Sequence, residues 1–323
     1  MCTAVTFKTK DHYFGRNLDL EYSLGEQIVI TPRNFAFDFR MMGTIKNHYA
    51  IIGVAKIDNG YPLYYDATNE AGLSVAGLNF PGNAVYFKPK QGLNNIAPFE
   101  IIPYLLGRFK TVSEVVTFLK ESNISNIAYS DNYPLSPLHW IIADKKESIT
   151  VESVKDGIKI YENPIGVLTN NPPFPYQMFN LNNYANISAE NPKMSFSKNL
   201  SYDAYSRGLG GLGLPGDFSS MSRFVRAAFA KSLSVCSDKE ADSISQFFHI
   251  LSYVAQVRGC VKVDNKDEFT IYSSCCNATK GIYYYSTYQN RSIRCVDMHK
   301  ENLDGDLLIP YDMTGKEFIF SQN

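Results

Sequence analysis

The first 80 residues alternate between apolar and polar positions with the two-residue period of β-strands. The alternating runs are CTAVTF, HYFGRNLDL, EQIVITPR, YAIIGVAKI, YPLYYDATN and GLSVAGLNF. Polar or glycine-containing segments such as KTKDH and NEAG separate several of these runs and are typical of turns. The pattern therefore predicts that this part of the chain consists of β-strands.

Two pairs of helices are predicted further along the chain, with strands between and after them. The segment APFEIIPYLLGRFKTVSEVVTFLKES predicts two helices broken near Lys110, and TVSE has the form of a capping box for the second. PLHWIIADKKESITVESVKDGIKIYEN predicts a three-stranded meander, and a helical or irregular segment is expected near 174–184. SSMSRFVRAAFAKSL and DKEADSISQFFHILSYVAQV predict the second helix pair, and EFTIYSSCC, KGIYYYSTY and SIRCVDM predict closing strands.

This order of elements favours an α+β fold over a doubly wound parallel sheet, because strands and helices do not alternate one by one. We predict one domain over residues 1–323, built as four layers in which helix pairs cover antiparallel sheets. Residues 186–218 are polar and then rich in glycine, which predicts a long loop. Loops of this length commonly serve function or form interfaces.

Composition and charge narrow the function. The 31 basic and 32 acidic residues give a net charge of −1, and no basic tract is present, so nucleic acid and anionic membranes are poor candidates for partners. The sequence lacks a signal-peptide pattern and an apolar run of the ~20 residues that a membrane span needs. A cytoplasmic protein is expected. The 22 tyrosines suit an amphipathic ligand, although most are explained more simply as strand residues.

The cysteine spacing argues against a metal site. The six cysteines, at positions 2, 236, 260, 275, 276 and 295, include no CxxC pair. We therefore expect reduced thiols, no zinc site and no disulfide framework, and nothing indicates a cofactor.

Cys2 follows the initiator methionine directly, and this position has two interpretations. It can be an inert, buried residue. If Met1 is removed, however, Cys2 carries a thiol and a free α-amine, with reference pKa values of ~8.5 and ~7.7–8.0. The amine could then act as the general base for its own thiol.

A papain-like pair would instead need one of the five histidines, His12, His48, His139, His249 or His299. None has a recognisable local signature, and His139 and His249, which have apolar neighbours, are expected to be packed and hydrogen-bonded.

Arg16 and Asp19 are the next candidates, since they follow on the strand beside Cys2. Their spacing of three places them on opposite faces, so they share a site only at a bulge or at the strand end. The simpler alternative is an exposed ion pair of little energetic value. Asn79, Asn170 and Arg223 are each unremarkable alone, because Asn before Pro commonly serves a turn and Arg on a helix is commonly solvated.

Eight motifs lie along the chain from residue 2 to about 305: MCT, FGRNLDLEYS, AGLNFPG, HW, IGVLTNNP, GLPGDFSSMSRFVRAAF, KGIYYYSTY and NLDG. Taken together and in this order, they resemble the choloylglycine hydrolase family, the conjugated bile acid hydrolases and penicillin V acylases within the N-terminal nucleophile hydrolases. It implies an αββα sandwich, loss of Met1 and a nucleophile at Cys2. The family's other site positions fall on Arg16, Asp19, Asn79, Asn170 and Arg223.

The resemblance also implies a role for each of these residues. Asp19 orients the terminal amine, and Arg16 lies near the sulfur and favours the thiolate. Asn79 and Asn170 donate hydrogen bonds to the oxyanion, and Arg223 tethers the network without a chemical step.

The subgroup within the family bears on the substrate. Bile salt hydrolases resemble this chain in having Asn within AGLNFP, where many penicillin V acylases have Tyr. This favours hydrolysis of glycine- or taurine-conjugated bile acids, with substrate contacts at Leu18, Ile57, Tyr65, Tyr129 and Tyr133. The alternatives are a penicillin V acylase or another N-acyl amidase of this fold, and a non-catalytic binding protein. The resemblance further implies a homotetramer in which the glycine-rich loop packs against a neighbouring subunit.

Overall fold

The computed structural model describes residues 1–313 and 315–323. Its strands up to the first helices are β1 (Cys2–Lys8), β2 (His12–Leu20), β3 (Gln27–Thr31), β4 (Phe37–Phe39), β5 (Gly43–Ile45), β6 (Ile51–Asp58), β7 (Tyr61–Asn69), β8 (Ser74–Asn79) and β9 (Asn94–Ile96). The remaining strands are β10 (Ser122–Ile124), β11 (Leu138–Ala143), β12 (Ser148–Val154), β13 (Gly157–Glu162), β14 (Val167–Leu168), β15 (Val261–Val263), β16 (Lys266–Asn277), β17 (Ile282–Thr287), β18 (Asn290–Asp297) and β19 (Ile309–Asp312).

The helices lie where the apolar spacing predicts them. They are α1 (Ile101–Arg108), α2 (Val112–Lys120), α3 (Phe174–Asn180), α4 (Ser220–Leu233) and α5 (Glu240–Ser252). The predicted capping box is present, because the Thr111 side chain accepts a hydrogen bond from the Glu114 amide at 3.3 Å and Glu114 accepts one from the Thr111 amide at 3.2 Å. Residues 186–218 are irregular apart from a 3₁₀ turn at Leu209–Gly211, as the sequence predicts.

Two facing sheets form the centre of the molecule. Within the described residues, one sheet has seven strands in the order β14-β1-β2-β16-β17-β18, with β15 beside β16, and the other has eight in the order β13-β12-β11-β8-β7-β6-β3-β19. The pairings in both sheets are antiparallel; outside them, β9 and β10 form a short parallel pair.

The layers follow from which helices cover which sheet. α1 packs on β6, β7 and β8 of the larger sheet, and α4 and α5 pack on β1 of the smaller one. β1 and β2 contact β8, so the two sheets face each other between the helix layers. The predicted four-layer arrangement of helices and antiparallel sheets is confirmed. Over the described residues, none of the helices is both long enough and apolar enough to span a bilayer.

Candidate active site

The thiol of Cys2 lies at the start of β1, a strand flanked by β14 on one side and β2 on the other. Cys2 is 4% exposed and stands opposite Leu18 in the ladder with β2. The ladder continues one residue further, because the Asp19 amide donates to the Met1 carbonyl at 2.9 Å. Asn170 follows the other neighbouring strand, β14. The ends of three adjacent strands thus bring Asn170, Cys2 and Asp19 together.

Asn170 connects Cys2 to the second sheet. Its Oδ1 accepts a hydrogen bond from the Cys2 nitrogen at 2.8 Å, and its Nδ2 donates to the carbonyl of Asn79 at 2.7 Å. Asn79 is the last residue of β8, and its side chain is exposed. Asn170 therefore contacts Cys2 directly, whereas Asn79 is linked to it through Asn170, which uses one proton of its side-chain amide for this bond.

Arg223 reaches the same cluster from α4 and is fully buried. Its guanidinium donates to the Cys2 carbonyl at 2.5 Å, to Thr3 Oγ1 at 2.7 Å and to Asn170 Oδ1 at 2.8 Å. Burial lowers the pKa of Arg223, and the negative charge of Asp19 only partly offsets that effect. Arg223 is therefore a buried cation that links the start of β1 to Asn170.

Arg16 and Asp19 lie on opposite faces of β2, as their odd spacing predicts. Nη1 of Arg16 points between the sheets and donates to the carbonyls of Tyr65 at 3.0 Å and Gly77 at 2.6 Å. Asp19 lies on the other face and accepts from Thr270 Oγ1 at 2.7 Å. The two still border one site, because Asp19 is the next-to-last residue of β2 and pairs with residue 1.

Side-chain alternation separates the two reactive groups of Cys2. Cys2 stands opposite Leu18 and Ala4 stands opposite Arg16, so the thiol lies on the same face as the guanidinium of Arg16. The nitrogen lies at the strand end, near Asn170 and Asp19. Burial raises the pKa of Asp19, an effect that the charges of Arg223 and the chain terminus partly offset. Among the described residues, one oxygen of this carboxylate, Oδ2, accepts no hydrogen bond, and it lies 3.9 Å from Nη1 of Arg223.

The amino group of Met1 is bound by a residue that sequence analysis did not select. It donates to Glu268 at 2.5 Å and to the Asp19 carbonyl at 2.7 Å. Burial raises the pKa of Glu268, and the adjacent positive terminus partly offsets that rise. While Met1 is attached, the Cys2 nitrogen is a peptide amide and cannot accept a proton. The general-base chemistry predicted for Cys2 therefore requires the shorter chain.

An apolar cavity of about 200 Å³ lies next to Arg16. Its lining includes Tyr65 and Gly77, the two residues whose carbonyls bind Arg16, and it includes the predicted substrate contacts Tyr129 and Tyr133. The Tyr129 and Tyr133 rings are 5.9 Å apart in an edge-to-face arrangement.

The other two predicted contacts lie outside the lining of this cavity. Leu18 is buried opposite Cys2 at 3% exposure. Ile57 is half-buried on β6 and packs against the apolar cluster on the α1–α2 side. Leu18 thus borders the thiol rather than the aromatic loops.

The histidines do not form a Cys–His pair, since no hydrogen bond of Cys2 within the described residues involves a histidine. His139 is packed as expected: it stacks on Phe80 with ring centroids 4.2 Å apart, and its Nε2 lies 2.8 Å from the Thr169 carbonyl. The expectation for His249 is wrong, because its side chain is exposed on α5. Its apolar neighbours in sequence lie on the opposite face of that helix.

A second residue missed by sequence analysis is Asp66 on β7, which lies between the sheets and is 1% exposed. Its signal in the sequence is an acid within the buried strand YPLYYDATN, a placement that requires partners. Within the described residues, no group of three or more metal-ligating side chains is arranged to hold a metal ion.

Facing antiparallel sheets between helix layers, with a cysteine at the start of a central strand, define the N-terminal nucleophile hydrolase fold. Comparison with known proteins agrees. The model of the family described as linear amide C–N hydrolases, choloylglycine hydrolase family, matches residues 2–311. The chain belongs to this family.

Several relatives are similar over the whole chain. A bile salt hydrolase/transferase of Lactiplantibacillus plantarum is 54% identical over 324 residues, covering 100% of both chains. One of Clostridium perfringens is 41% identical and covers 96% of both. The crystal structure of a mutant of the conjugated bile acid hydrolase from Clostridium perfringens superposes with a TM-score of 0.92 at 39% identity, covering 100% of both chains. A penicillin V acylase from Agrobacterium tumefaciens shares the fold, with a TM-score of 0.75, 18% identity and coverage of 98% of this chain and 99% of the acylase.

Proposed function

We propose that the protein hydrolyses the amide bond of glycine- or taurine-conjugated bile acids, with Cys2 as the nucleophile. The observation that carries the proposal is the cluster of Asn170, Arg223 and Asp19 around Cys2. An apolar, tyrosine-lined cavity supports it, because two of its lining residues, Tyr65 and Gly77, bind Arg16 on the thiol face of the sheet. The names of the relatives with 54% and 41% identity support the substrate class.

In the proposed reaction, Met1 is first removed and the Cys2 nitrogen becomes an amine. The amine already has an acceptor in Asn170 Oδ1, and in this scheme Oδ2 of Asp19, which accepts no hydrogen bond within the described residues, serves as a second. In its neutral form the amine takes the thiol proton while the sulfur attacks the carbonyl carbon of the substrate amide. The protonated amine then donates to the leaving nitrogen, which departs as glycine or taurine and leaves a thioester. Water hydrolyses the thioester by the same route.

The surrounding polar groups stabilise the charges that develop. Side-chain amides of Asn79 and Asn170 donate to the oxyanion of the tetrahedral intermediate. Arg16, on the thiol face of the sheet and buried, favours the anionic sulfur. Arg223 makes no bond to the reacting atoms in this scheme and holds Asn170 and the start of β1 in place.

The cavity beside Arg16 is proposed to bind the steroid. Tyr65, Tyr129 and Tyr133 offer flat apolar faces with hydroxyl tips, which suit a molecule with one apolar and one hydroxylated face. Its volume of about 200 Å³ is below the roughly 300–1,000 Å³ of typical ligand pockets, so it would hold only part of the steroid. Leu18 would contact the substrate near the amide and Ile57 near the outer loops.

The test combines the intact mass of the purified protein with kcat/KM for glycocholate, taurocholate and phenoxymethylpenicillin. A chain that lacks Met1 and turns over the bile acid conjugates supports the proposal. A preference for the penicillin by orders of magnitude would refute the substrate class. An active protein that retains Met1, or a Cys2→Ser variant with near-normal turnover, would refute the mechanism.

We also propose a homotetrameric, cytoplasmic protein in which residues 186–218 contact a neighbouring subunit. The loop exposes large apolar side chains, among them Phe196 at 83% and Tyr205 at 86%. All six cysteines are free, which suits a reducing compartment. Light scattering of a variant shortened within 192–207 should give a smaller particle mass than the full-length protein. An unchanged mass would refute the role of the loop.

A further inference from the structure

Asp66 is a fully buried carboxylate that the proposed reaction does not use. It lies on β7 of the larger sheet, but its hydrogen-bond donors all come from the smaller one. Oδ2 accepts from the Tyr272 hydroxyl at 2.7 Å, and Oδ1 accepts from the Tyr283 hydroxyl and from Ser274 Oγ at 3.5 Å. The carboxylate thus spans the space between the sheets.

This cluster adjoins Arg16. The Arg16 amide donates to Ser274 Oγ at 3.1 Å, and the carbonyl of Tyr65, next to Asp66 in the chain, accepts from Arg16 Nη1 at 3.0 Å. Tyr272 stands opposite Leu18, which in turn stands opposite Cys2. Asp66, Arg16 and the thiol therefore lie in one buried layer.

The charges of Asp66 and Arg16 stabilise each other. Burial raises the pKa of Asp66, and the charge of Arg16 and the hydroxyl donors offset part of that rise. Burial by itself would lower the pKa of Arg16, but the charges of Cys2, Tyr272 and Asp66 raise it overall. The position of Arg16 is fixed separately, by the backbone carbonyls of Tyr65 and Gly77.

Asp66 and Arg16 are not in direct contact as an ion pair within the described residues. Stability alone is a weak reason to bury two opposite charges in this way, because even direct buried ion pairs can often be replaced by apolar residues at no loss. We propose that Asp66 is a positioning residue that balances the buried charge of Arg16 and thereby sets how readily the Cys2 sulfur ionises. The inference rests on the proposed nucleophilic role of Cys2.

Balanced charge matters because a more easily ionised thiol is also a weaker nucleophile. The logarithm of the rate at which a thiolate attacks falls by about 0.4–0.5 for each unit by which the pKa of its thiol falls. Without Asp66, the uncompensated charge of Arg16 would produce more thiolate at neutral pH, but each thiolate would react more slowly.

The test is the pH dependence of Cys2 alkylation by iodoacetamide in the Met1-free protein. In Asp66→Asn the midpoint of the curve of alkylation rate against pH should move down by about 1 pH unit, as for loss of a charge near a titrating group. The limiting rate at high pH should fall about threefold for that shift. Tyr283→Phe, which removes one donor to Asp66 and keeps the fold of the sheet, should move the midpoint in the same direction by less.

Glu100→Gln is the matched control, since Glu100 is a fully buried carboxylate that binds the Arg40 amide away from Arg16. Its midpoint should equal that of the wild type. An unchanged or raised midpoint in Asp66→Asn overturns the inference, and if that variant does not fold, an unchanged midpoint in Tyr283→Phe overturns it.

Glycocholate turnover of the same wild-type preparation separates the two proposals. A shifted midpoint without turnover refutes only the proposed substrate, and turnover without a shift refutes only the role of Asp66.

Discussion

Replacing Asn170 by alanine is the most direct test of the cluster around Cys2. The side chain accepts from the Cys2 nitrogen and from Arg223 Nη2, both at 2.8 Å, and donates to the Asn79 carbonyl at 2.7 Å. The substitution removes all three bonds and leaves one donor of a buried guanidinium without a partner. Arg223 keeps its bonds to Cys2 and Thr3, so we expect the fold to persist.

The expected loss has two parts of different origin. Two of the three bonds are neutral, at about 1 kcal/mol each, and the bond to Arg223 involves a charged group, at about 1.5–3 kcal/mol, so the free energy of unfolding should fall by about 3.5–5 kcal/mol. Loss of an oxyanion donor lowers kcat by about 10²–10³, or roughly 3–4 kcal/mol of transition-state stabilisation. Because the steroid cavity does not include Asn170, KM should change little.

Asn163→Ala provides a matched control. Asn163 is 1% exposed and also makes three side-chain bonds, to Thr150 Oγ1 and the Val167 carbonyl at 3.0 Å and from the Gly166 amide at 2.8 Å. The control should lose stability in urea titrations and retain kcat for glycocholate. If Asn170→Ala keeps kcat within about threefold of the wild type, or if both variants lose kcat equally, the reasoning about the cluster is wrong.

Three further predictions concern other parts of the chain. Residues fused ahead of Cys2 should abolish turnover of both conjugates, because an acylated nitrogen is no base; an active fusion would contradict the mechanism. Burial and the charges of Lys8 and Lys231, partly opposed by Asp144, lower the pKa of His12 to about 4. As the pH falls below 6.5, His12 therefore takes up a proton in the unfolded chain before it does so in the folded one. Between pH 7 and 4, the free energy of unfolding of the wild type should fall by about 3 kcal/mol more than that of His12→Gln, as measured by urea titration. Parallel pH profiles of the two proteins would refute this. Thr111→Ala should lower the free energy of unfolding by about 1 kcal/mol through loss of the helix cap, with kcat unchanged.

Local patterns predicted the fold well, because its elements depend on contacts that are close in sequence. The capping box at Thr111 and Glu114 predicted the start of α2, and two-residue alternation identified six of the eight strands in the first 80 residues, missing the short strands β4 and β5. Alternation also placed Arg16 and Asp19 on opposite faces. Alternation could not show that the start of β1 would bring both residues to one site, since that depends on the pairing of the end of β2 with residues 1 and 2.

The wrong expectation for His249 concerned the face of a helix that it occupies, whereas the missed residues depend on distant parts of the chain. His249 has apolar neighbours in sequence, but α5 turns it to solvent while Phe247, Phe248 and Ile250 are buried. Asp66 depends on Tyr272 and Tyr283, which are more than 200 positions away in the sequence, so no local signal could identify its partners. Glu268 was missed for the same reason.

The backbone hydrogen bond between Asp19 and Met1, which extends the pairing of β1 and β2 by one residue, bears on how the protein matures. In the folded chain the Met1 carbonyl and the Cys2 nitrogen are both bonded, to the Asp19 amide and to Asn170, and Glu268 holds the amino group. In the reaction proposed above, this peptide bond is the one that is cut, so the groups that bind it in the unprocessed chain are those proposed to bind the free amine. On that proposal, a chain that folds before an aminopeptidase removes Met1 stays inactive, and the order of the two events sets how much of the protein becomes active.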